Sequence, residues 1–182
     1  MKIYIIRHGQ TDWNVNKIIQ GQKDIELNKT GEDQARNQIK TFNEYNFDLI
    51  ICSTLKRARK TAQIINSEKN IDIIYDERLK ERYFGNYEGT PANFDEDPIY
   101  NLKTNIKENN IETAQELYNR INELLKEIKE KYKNKKILLV THGGTTRAIE
   151  AFFKGTTNDI MPPETIKNCE IREYDYDDKI EM

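Results

Sequence analysis

The sequence contains little cysteine and little histidine, and it has no long apolar run. Only 2 cysteines and 2 histidines occur in 182 residues. Two cysteines do not make the disulfide framework of a small secreted domain. No apolar stretch approaches the roughly 18 residues that a membrane span needs, and the short run at the N-terminus lacks the features of a signal peptide. We therefore expect a cytoplasmic protein without a membrane partner.

A surplus of basic charge is also missing. The chain has 29 Lys and Arg against 31 Asp and Glu, a net charge of −2. Because nucleic-acid-binding domains usually carry a basic surplus, we expect no nucleic-acid partner. Hydrophobic residues make up only 36% of the chain, but they fall in dense runs that can form a core. The length predicts one domain over residues 1–182 and leaves the oligomeric state unknown.

Apolar runs alternate with helical patterns along the chain. Strand-like runs lie at 2–6, 47–52, 71–75, 137–140 and 170–176, and helical patterns lie at 30–45, 55–66, 111–133 and 145–153. Thr30 is the expected N-cap of the first helix, and a hydroxyl of Ser53 or Thr54 is the expected cap of the second. The alternation predicts an α/β fold of three layers, α/β/α, with a mostly parallel central sheet.

The segment 86–111 interrupts this alternation. It contains Gly89, Pro91 and Pro98, and it has an acidic run at 95–97 but no long periodic element. A stretch of this kind inside a compact domain is usually a lid or a small excursion, so we predict a short cap insertion. The aromatic residues in and near it either belong to the core or offer a less polar surface to a substrate; they are Tyr83, Tyr87, Phe94 and Tyr100.

One residue separates each histidine from the strand-like run before it, and each histidine is followed by a glycine. They are His8 and His142. Ligands in open parallel sheets bind at the carboxyl ends of the strands, so the two positions predict one shared site. The glycines after them, at positions 9 and 143, would let backbone N–H groups approach an anion there.

Two arginines are expected at the same edge of the sheet. Arg7 precedes His8, and Arg57 lies in the helix that follows the second strand. Converging cations disfavour a metal site, but guanidinium groups match the oxygens of a phosphate. A neutral imidazole can accept a phosphoryl group, and such a transfer needs an acid for the leaving alcohol. Glu77 and Glu81 both follow the third strand, and spacing does not choose between them.

Five blocks of residues together resemble the histidine phosphatase superfamily, in its phosphoglycerate-mutase-like branch. The blocks occur in the family's order and cover most of the chain: Arg7-His8-Gly9-Gln10-Thr11 with Asn14, Leu27-Asn28-Lys29-Thr30-Gly31, Ser53-Thr54-Leu55-Lys56-Arg57-Ala58, Leu79-Lys80-Glu81 with Tyr87-Glu88-Gly89, and Val140-Thr141-His142-Gly143-Gly144 with Arg147. The resemblance implies a phosphoglycerate mutase-like fold and no metal or organic cofactor.

The resemblance also implies a role for each core residue. His8 would be the nucleophile that becomes phosphohistidine, and Glu81 rather than Glu77 would be the general acid. The phosphoryl group would be bound by Arg7, Arg57 and His142, with Asn14 as a lesser contact and Gly143 beside them.

In its length and its short cap, the chain resembles the small phosphatases of this family, such as α-ribazole phosphatases and broad-specificity phosphatases. We therefore expect a metal-independent phosphomonoester hydrolase that acts on a small organic phosphate, with α-ribazole phosphate as one candidate. One alternative is a phosphoglycerate mutase with the same intermediate. Another is a catalytically silent module that binds phospholigands, although the presence of all five core residues argues against it.

Overall fold

Five strands form one sheet at the centre of the computed structural model, which describes residues 1–92, 98–104, 106–163 and 166–176. The strands are β1 (Lys2–Arg7), β2 (Leu49–Cys52), β3 (Ile73–Tyr75), β4 (Lys136–Thr141) and β5 (Ile171–Asp175). Their order across the sheet is β3-β2-β4-β1-β5. The first four are parallel, and β5 pairs antiparallel with β1. The predicted mostly parallel sheet is confirmed.

The central strands are continuous apolar runs because both faces of the sheet are covered by helices. Residues 3–6 of β1 and 137–141 of β4 are all buried. The register pairs Arg7 with Thr141, so β1 and β4 end at the same level. The next residue after each strand is a histidine, and the sheet therefore brings the two histidines to one edge.

Helices cover both faces and complete the three layers. They are α1 (Asp12–Val15), α2 (Lys29–Asn37), α3 (Ile39–Tyr45), α4 (Lys56–Ile65), α5 (Ala114–Lys131) and α6 (Gly143–Lys154). On one face, α2, α3 and α4 pack on Tyr4 and Ile6 of β1. On the other, α5 and α6 pack on Ile3 and Ile5 of the same strand.

The predicted N-cap of the first helix is wrong. The first helix begins at Lys29, where Asn28 Oδ1 accepts from the N–H of Gly31 at 2.9 Å, so Asn28 rather than Thr30 is its N-cap. The same pattern breaks at Gln38 into α2 and α3. The next helix, α4, begins at Lys56, one residue after its N-cap Leu55. Ser53 Oγ accepts from the N–H of Leu55 at 3.3 Å, but the first N–H of the helix itself, that of Lys56, donates to Asp24 Oδ1 at 2.7 Å.

The predicted cap segment consists of short turns where the structure describes it. The 3-10 turns are Gly85–Tyr87, Pro98–Tyr100 and Glu108–Asn110. Tyr100 belongs to the core at 2% exposure, whereas Tyr83 is 41% exposed. Phe94 and the acidic run at 95–97 lie outside the described residues. Among the helices that the structure describes, none has the length and apolar character needed to cross a bilayer.

Candidate active site

The His8 ring is fixed by the backbone next to it. The His8 N–H continues the sheet by donating to Thr141 O at 3.0 Å, and the ring Nδ1 lies 2.7 Å from Gly9 O. A carbonyl oxygen can only accept, so Nδ1 carries the hydrogen of this bond. The neutral ring therefore has its lone pair on Nε2. The side chain is 2% exposed, which keeps this atom in a largely dry site.

The His142 ring is held in the opposite tautomer. Arg57 Nε lies 3.1 Å from His142 Nδ1, and a guanidinium N–H can only donate, so Nδ1 is the acceptor. The hydrogen of the neutral ring is then on Nε2, which lies 2.7 Å from Ser53 Oγ. The two rings lie 5.1 Å apart between centroids. His142 thus carries its hydrogen on Nε2, where it donates to Ser53 Oγ, whereas His8 carries a lone pair on Nε2.

Burial and positive charge keep both imidazoles neutral. The pKa of His8 is lowered well below its ordinary value of 6.5, first by burial and then by the charges of Arg57 and Arg7. The pKa of His142 is lowered in the same way by burial and then by Arg57. Two neutral rings near neutral pH provide one lone pair and one N–H donor.

Arg57 is fully buried and anchored at three nitrogens. Besides the bond to His142, Nη1 donates to Lys23 O at 2.8 Å and Nη2 donates to Gly21 O at 2.7 Å. Burial lowers the pKa of Arg57 to about 10, so the group keeps its positive charge at neutral pH. Three of its five N–H bonds are used, and two remain for an anion.

A segment near the C-terminus holds the other arginine and the histidine after it. Arg7 Nη1 donates to Ile166 O at 3.1 Å, and Asn168 Nδ2 donates to His8 O at 2.8 Å. The N–H of Cys169 donates to Arg7 O at 2.9 Å. Asn168 was not among the residues that the sequence pattern singled out. It follows no periodic run, so only its place just before β5 could have pointed to it.

The structure brings Glu81 to this site and leaves Glu77 outside. Glu81 lies against the first turn of α6: Oε2 accepts from the Gly144 N–H and Oε1 from the Thr145 N–H, both at 3.0 Å. Oε1 also accepts from the N–H of Arg82 at 2.8 Å. Glu77 is instead a largely exposed side chain that pairs with Lys80.

The remaining predicted residues differ in what they offer an anion. Asn14 Oδ1 accepts from the N–H of Thr11 at 3.1 Å within the capping box of α1, so only its Nδ2 can donate outward. Gly143 is the first residue of α6, directly after the N-cap His142, so its N–H lies at a helix N-terminus, where an anion is favoured.

The prediction for Gly9 is wrong. Its N–H donates to Thr61 Oγ1 at 3.0 Å rather than toward the site. It is a glycine because α2 approaches closely: a Cβ would lie 2.4 Å from Gly31 O.

Taken together, the site combines two fixed cations, a lone pair on a neutral imidazole and a carboxylate at a helix N-terminus. Among the described residues, no three histidine, cysteine or carboxylate side chains form a group that could hold a metal ion. The donor set suits a tetrahedral oxyanion, and the lone pair of His8 suits attack on it.

Comparison with known proteins gives the family. The profile of the histidine phosphatase superfamily (branch 1) matches residues 3–180. The chain belongs to the histidine phosphatase superfamily. Its relatives within that superfamily include proteins named as phosphatases and proteins named as mutases. Membership therefore indicates a reaction of phosphoryl groups but does not identify the substrate.

Three relatives illustrate this range within the superfamily. PhoE of Bacillus subtilis (strain 168), named an uncharacterized phosphatase, is 36% identical over 167 residues, which cover 92% of this chain and 84% of that protein. GpmB of Escherichia coli O1:K1 / APEC, named a probable phosphoglycerate mutase, is 30% identical over 187 residues, covering 99% of this chain and 87% of that protein. The structure of Bacillus stearothermophilus YhfR has a TM-score of 0.85 at 28% identity and covers 97% of this chain and 92% of that chain.

Proposed function

We propose that this protein hydrolyses phosphomonoesters through a phosphohistidine at His8. The observation that carries the proposal is the bond from His8 Nδ1–H to Gly9 O. It leaves Nε2 unprotonated, in a ring whose lowered pKa keeps it neutral at the pH of the cell. The family and the phosphatase name of PhoE support a hydrolase.

In the first step, His8 Nε2 forms a bond to phosphorus as the bond from phosphorus to the ester oxygen breaks. The electron pair of the broken bond stays on the ester oxygen, which takes a proton from Glu81. Oε2 is the oxygen suited to carry that proton, because it accepts one N–H, whereas Oε1 accepts two.

The phosphoryl oxygens in this proposal face the donors that the fold has fixed. These are the two spare N–H bonds of Arg57, the guanidinium of Arg7 and the Gly143 N–H, with Asn14 Nδ2 as a lesser contact. The Nε2–H of His142 donates to Ser53 Oγ and joins them by turning from that hydroxyl to a phosphoryl oxygen. Donors that are already in place stabilise the charge that spreads over the oxygens during transfer without reorganising at that moment.

In the second step, a water molecule attacks phosphorus and gives a proton to the Glu81 carboxylate. The nitrogen–phosphorus bond breaks, its electron pair returns to His8 Nε2, and inorganic phosphate leaves. The side chain that acted as the acid thus acts as the base, and the enzyme returns to its starting protonation state.

The proposed substrate is a small organic phosphate, and α-ribazole phosphate is the first natural ester to assay. The reason is that the cap insertion predicted from the sequence at 86–111 is short, as in the small phosphatases that the chain resembles. We also propose that no metal ion is needed, because Arg7 and Arg57 supply the positive charge that a phosphoryl group requires.

The test is hydrolysis of p-nitrophenyl phosphate and of an alkyl phosphate in EDTA. The unsubstituted protein should turn over both esters, and His8→Ala should turn over neither while keeping its circular dichroism spectrum. Glu81→Gln should lose most activity on the alkyl ester, whereas Glu77→Gln is the matched control and should keep it. Full activity of His8→Ala would overturn the proposal.

A phosphoglycerate mutase is the second candidate, favoured by the relationship to GpmB over nearly the whole chain. It would interconvert phosphoglycerates in the presence of a priming bisphosphate and release little inorganic phosphate. Binding of phosphate without turnover of any ester or phosphoglycerate would instead indicate a silent binding module.

A further inference from the structure

Three consecutive residues connect Arg57, which would bind the phosphoryl group, with the proposed acid Glu81. We call Gly21–Lys23 the bridge loop. On one side, Gly21 O and Lys23 O accept from Arg57 Nη2 and Nη1 at 2.7 and 2.8 Å. On the other side, Gln22 Nε2 donates to Glu81 O at 3.1 Å. The position of Arg57 relative to Glu81 therefore depends on how this loop is held.

One carboxylate holds the bridge loop against the segment that bears the acid. Glu88 Oε1 accepts from the N–H of Gln22 at 2.7 Å and from the N–H of Phe84 at 3.2 Å. Phe84 lies three residues after Glu81 in the same segment. A bond from a backbone N–H to a charged carboxylate is stronger than one between neutral groups, so Glu88 joins the two segments firmly.

The bridge loop is shaped to receive Glu88. Gly21 has a φ of +49°, and a Cβ there would lie 2.0 Å from Glu88 Oε1. Only glycine combines that backbone conformation with so close an approach. The negative charge of Glu88 also acts on Arg57, whose pKa is lowered by burial and raised by Glu81, Asp24 and Glu88 in that order.

We propose that Glu88 is a positioning residue that keeps the acid Glu81 aligned with the phosphoryl group bound at Arg57. This inference rests on the proposed function, because it assigns a purpose to the alignment. Glu88 acts through Gln22 and Phe84 and does not itself take part in proton or phosphoryl transfer.

A misplaced acid has a recognisable kinetic signature. An alkoxide is a poor leaving group and needs its proton during the first step, whereas p-nitrophenolate leaves with little help from an acid. Loss of alignment should therefore lower kcat/KM for an alkyl phosphate more than for p-nitrophenyl phosphate. General loss of folded enzyme would lower both values by the same factor.

The decisive comparison uses Glu88→Ala and Glu88→Gln, with Glu123→Ala, an exposed change on α5, as the control. The alanine variant loses both acceptor bonds and should lower kcat/KM for the alkyl ester by roughly 10- to 100-fold, as misplacement by about 1 Å commonly does. Its kcat/KM for p-nitrophenyl phosphate should fall by much less. Glutamine keeps a carbonyl oxygen for the two N–H groups and should restore the alkyl ester activity to near that of the control.

Gln22→Ala provides a second route if Glu88→Ala does not fold. It removes the bond to Glu81 O but leaves the backbone N–H that Glu88 holds, and it should shift the ratio of the two kcat/KM values in the same direction. The inference is overturned if both esters are affected equally, or if Glu88→Gln is as impaired as Glu88→Ala. Failure of the proposed function would look different, since the unsubstituted protein would then hydrolyse neither ester or His8→Ala would retain activity.

Discussion

Gly144→Ala should displace the acid from its place in the site. Gly144 lies in the first turn of α6, and a Cβ there would lie 2.5 Å from the Tyr100 hydroxyl oxygen and 2.7 Å from Glu81 Oε1. Its φ is not in the left-handed region, so an alanine backbone fits without strain. The effect of the substitution is therefore steric, and it falls on Glu81 and Tyr100.

Neither neighbour can move without losing contacts. Three backbone N–H groups hold the Glu81 carboxylate, from Arg82, Gly144 and Thr145. The Tyr100 ring contacts the guanidinium groups of Arg82 and Arg147, whose carbons lie 4.6 and 3.6 Å from its centroid. Stacking of this kind fixes the ring, so the added methyl group meets rigid atoms on both sides.

The size of the effect follows from these distances. Ordinary contact begins near 3.4 Å, so Oε1 has to move by roughly 0.7 Å, and misplacement by about 1 Å can cost up to ~100-fold in rate. We expect kcat/KM for an alkyl phosphate to fall by about 10- to 100-fold. Overpacking lowers the free energy of unfolding by about 1–3 kcal/mol, while the better helix propensity of alanine raises it by up to about 1 kcal/mol. The free energy of unfolding should therefore change less clearly than kcat/KM.

The assay is a double-mutant cycle on the alkyl ester, with Gly144→Ala and Glu81→Ala made singly and together. If the methyl group acts by moving the acid, it should have little further effect once Glu81 is gone. Urea unfolding of all four proteins separates loss of fold from loss of alignment. Wild-type activity in Gly144→Ala, or an equal loss in both backgrounds, would refute the reasoning.

Other predictions concern the histidines and their support. Burial lowers the pKa of His8 and His142 below 6.5, so the unfolded chain binds more protons than the folded protein below that pH. The free energy of unfolding, measured by urea titration, should therefore fall on acidification by up to about 2.7 kcal/mol per pH unit for the two groups. A free energy of unfolding that stays constant between pH 5 and 7 would contradict this. Nitrogen-15 NMR at pH 8 should show His8 protonated at Nδ1 and His142 at Nε2, so identical tautomers would be inconsistent with the geometry. Asn168→Ala should lower the free energy of unfolding by about 1 kcal/mol and reduce kcat, whereas the control Asn37→Ala, an exposed change, should alter neither. Unchanged values in Asn168→Ala would show that Asn168 does not position His8.

The sheet and the placement of the histidines could be predicted because they depend on dense local patterns. A strand buried on both faces is a short apolar run, and β1 and β4 are such runs. Parallel strands end at a common edge, so residues that follow them meet in space even when they are far apart in sequence. Arg57 is expected at the same edge because α4 begins just after β2.

Single contacts between distant segments left no such pattern. Asp24 rather than a local hydroxyl satisfies the first turn of α4, and nothing near Lys56 in the sequence indicates it. Asn28, two residues before Thr30, takes the N-cap position because its side chain reaches the N–H of Gly31. Asn168 acts on the site through the backbone carbonyl of His8, which carries no residue identity for a sequence pattern to show. Glu88 belongs to a block that resembles the family, but its contacts are backbone N–H groups, so the block did not indicate what it holds.

The choice of Glu81 over Glu77 also depends on a contact between distant segments rather than on a local pattern. Both carboxylates follow β3, and spacing could not separate them. What separates them is the first turn of α6, whose N–H groups meet only Glu81. The sequence motif that resembles the family pointed to the same residue without giving this physical reason.

The central claim is that His8 carries the phosphoryl group during turnover. The most direct measurement is rapid mixing with a ³²P-labelled ester, an alkaline quench that preserves phosphohistidine, and mass spectrometry to locate the label. We expect label on Nε2 of His8, formed faster than phosphate is released and absent in His8→Ala. Label on another side chain, or turnover in His8→Ala, would contradict it.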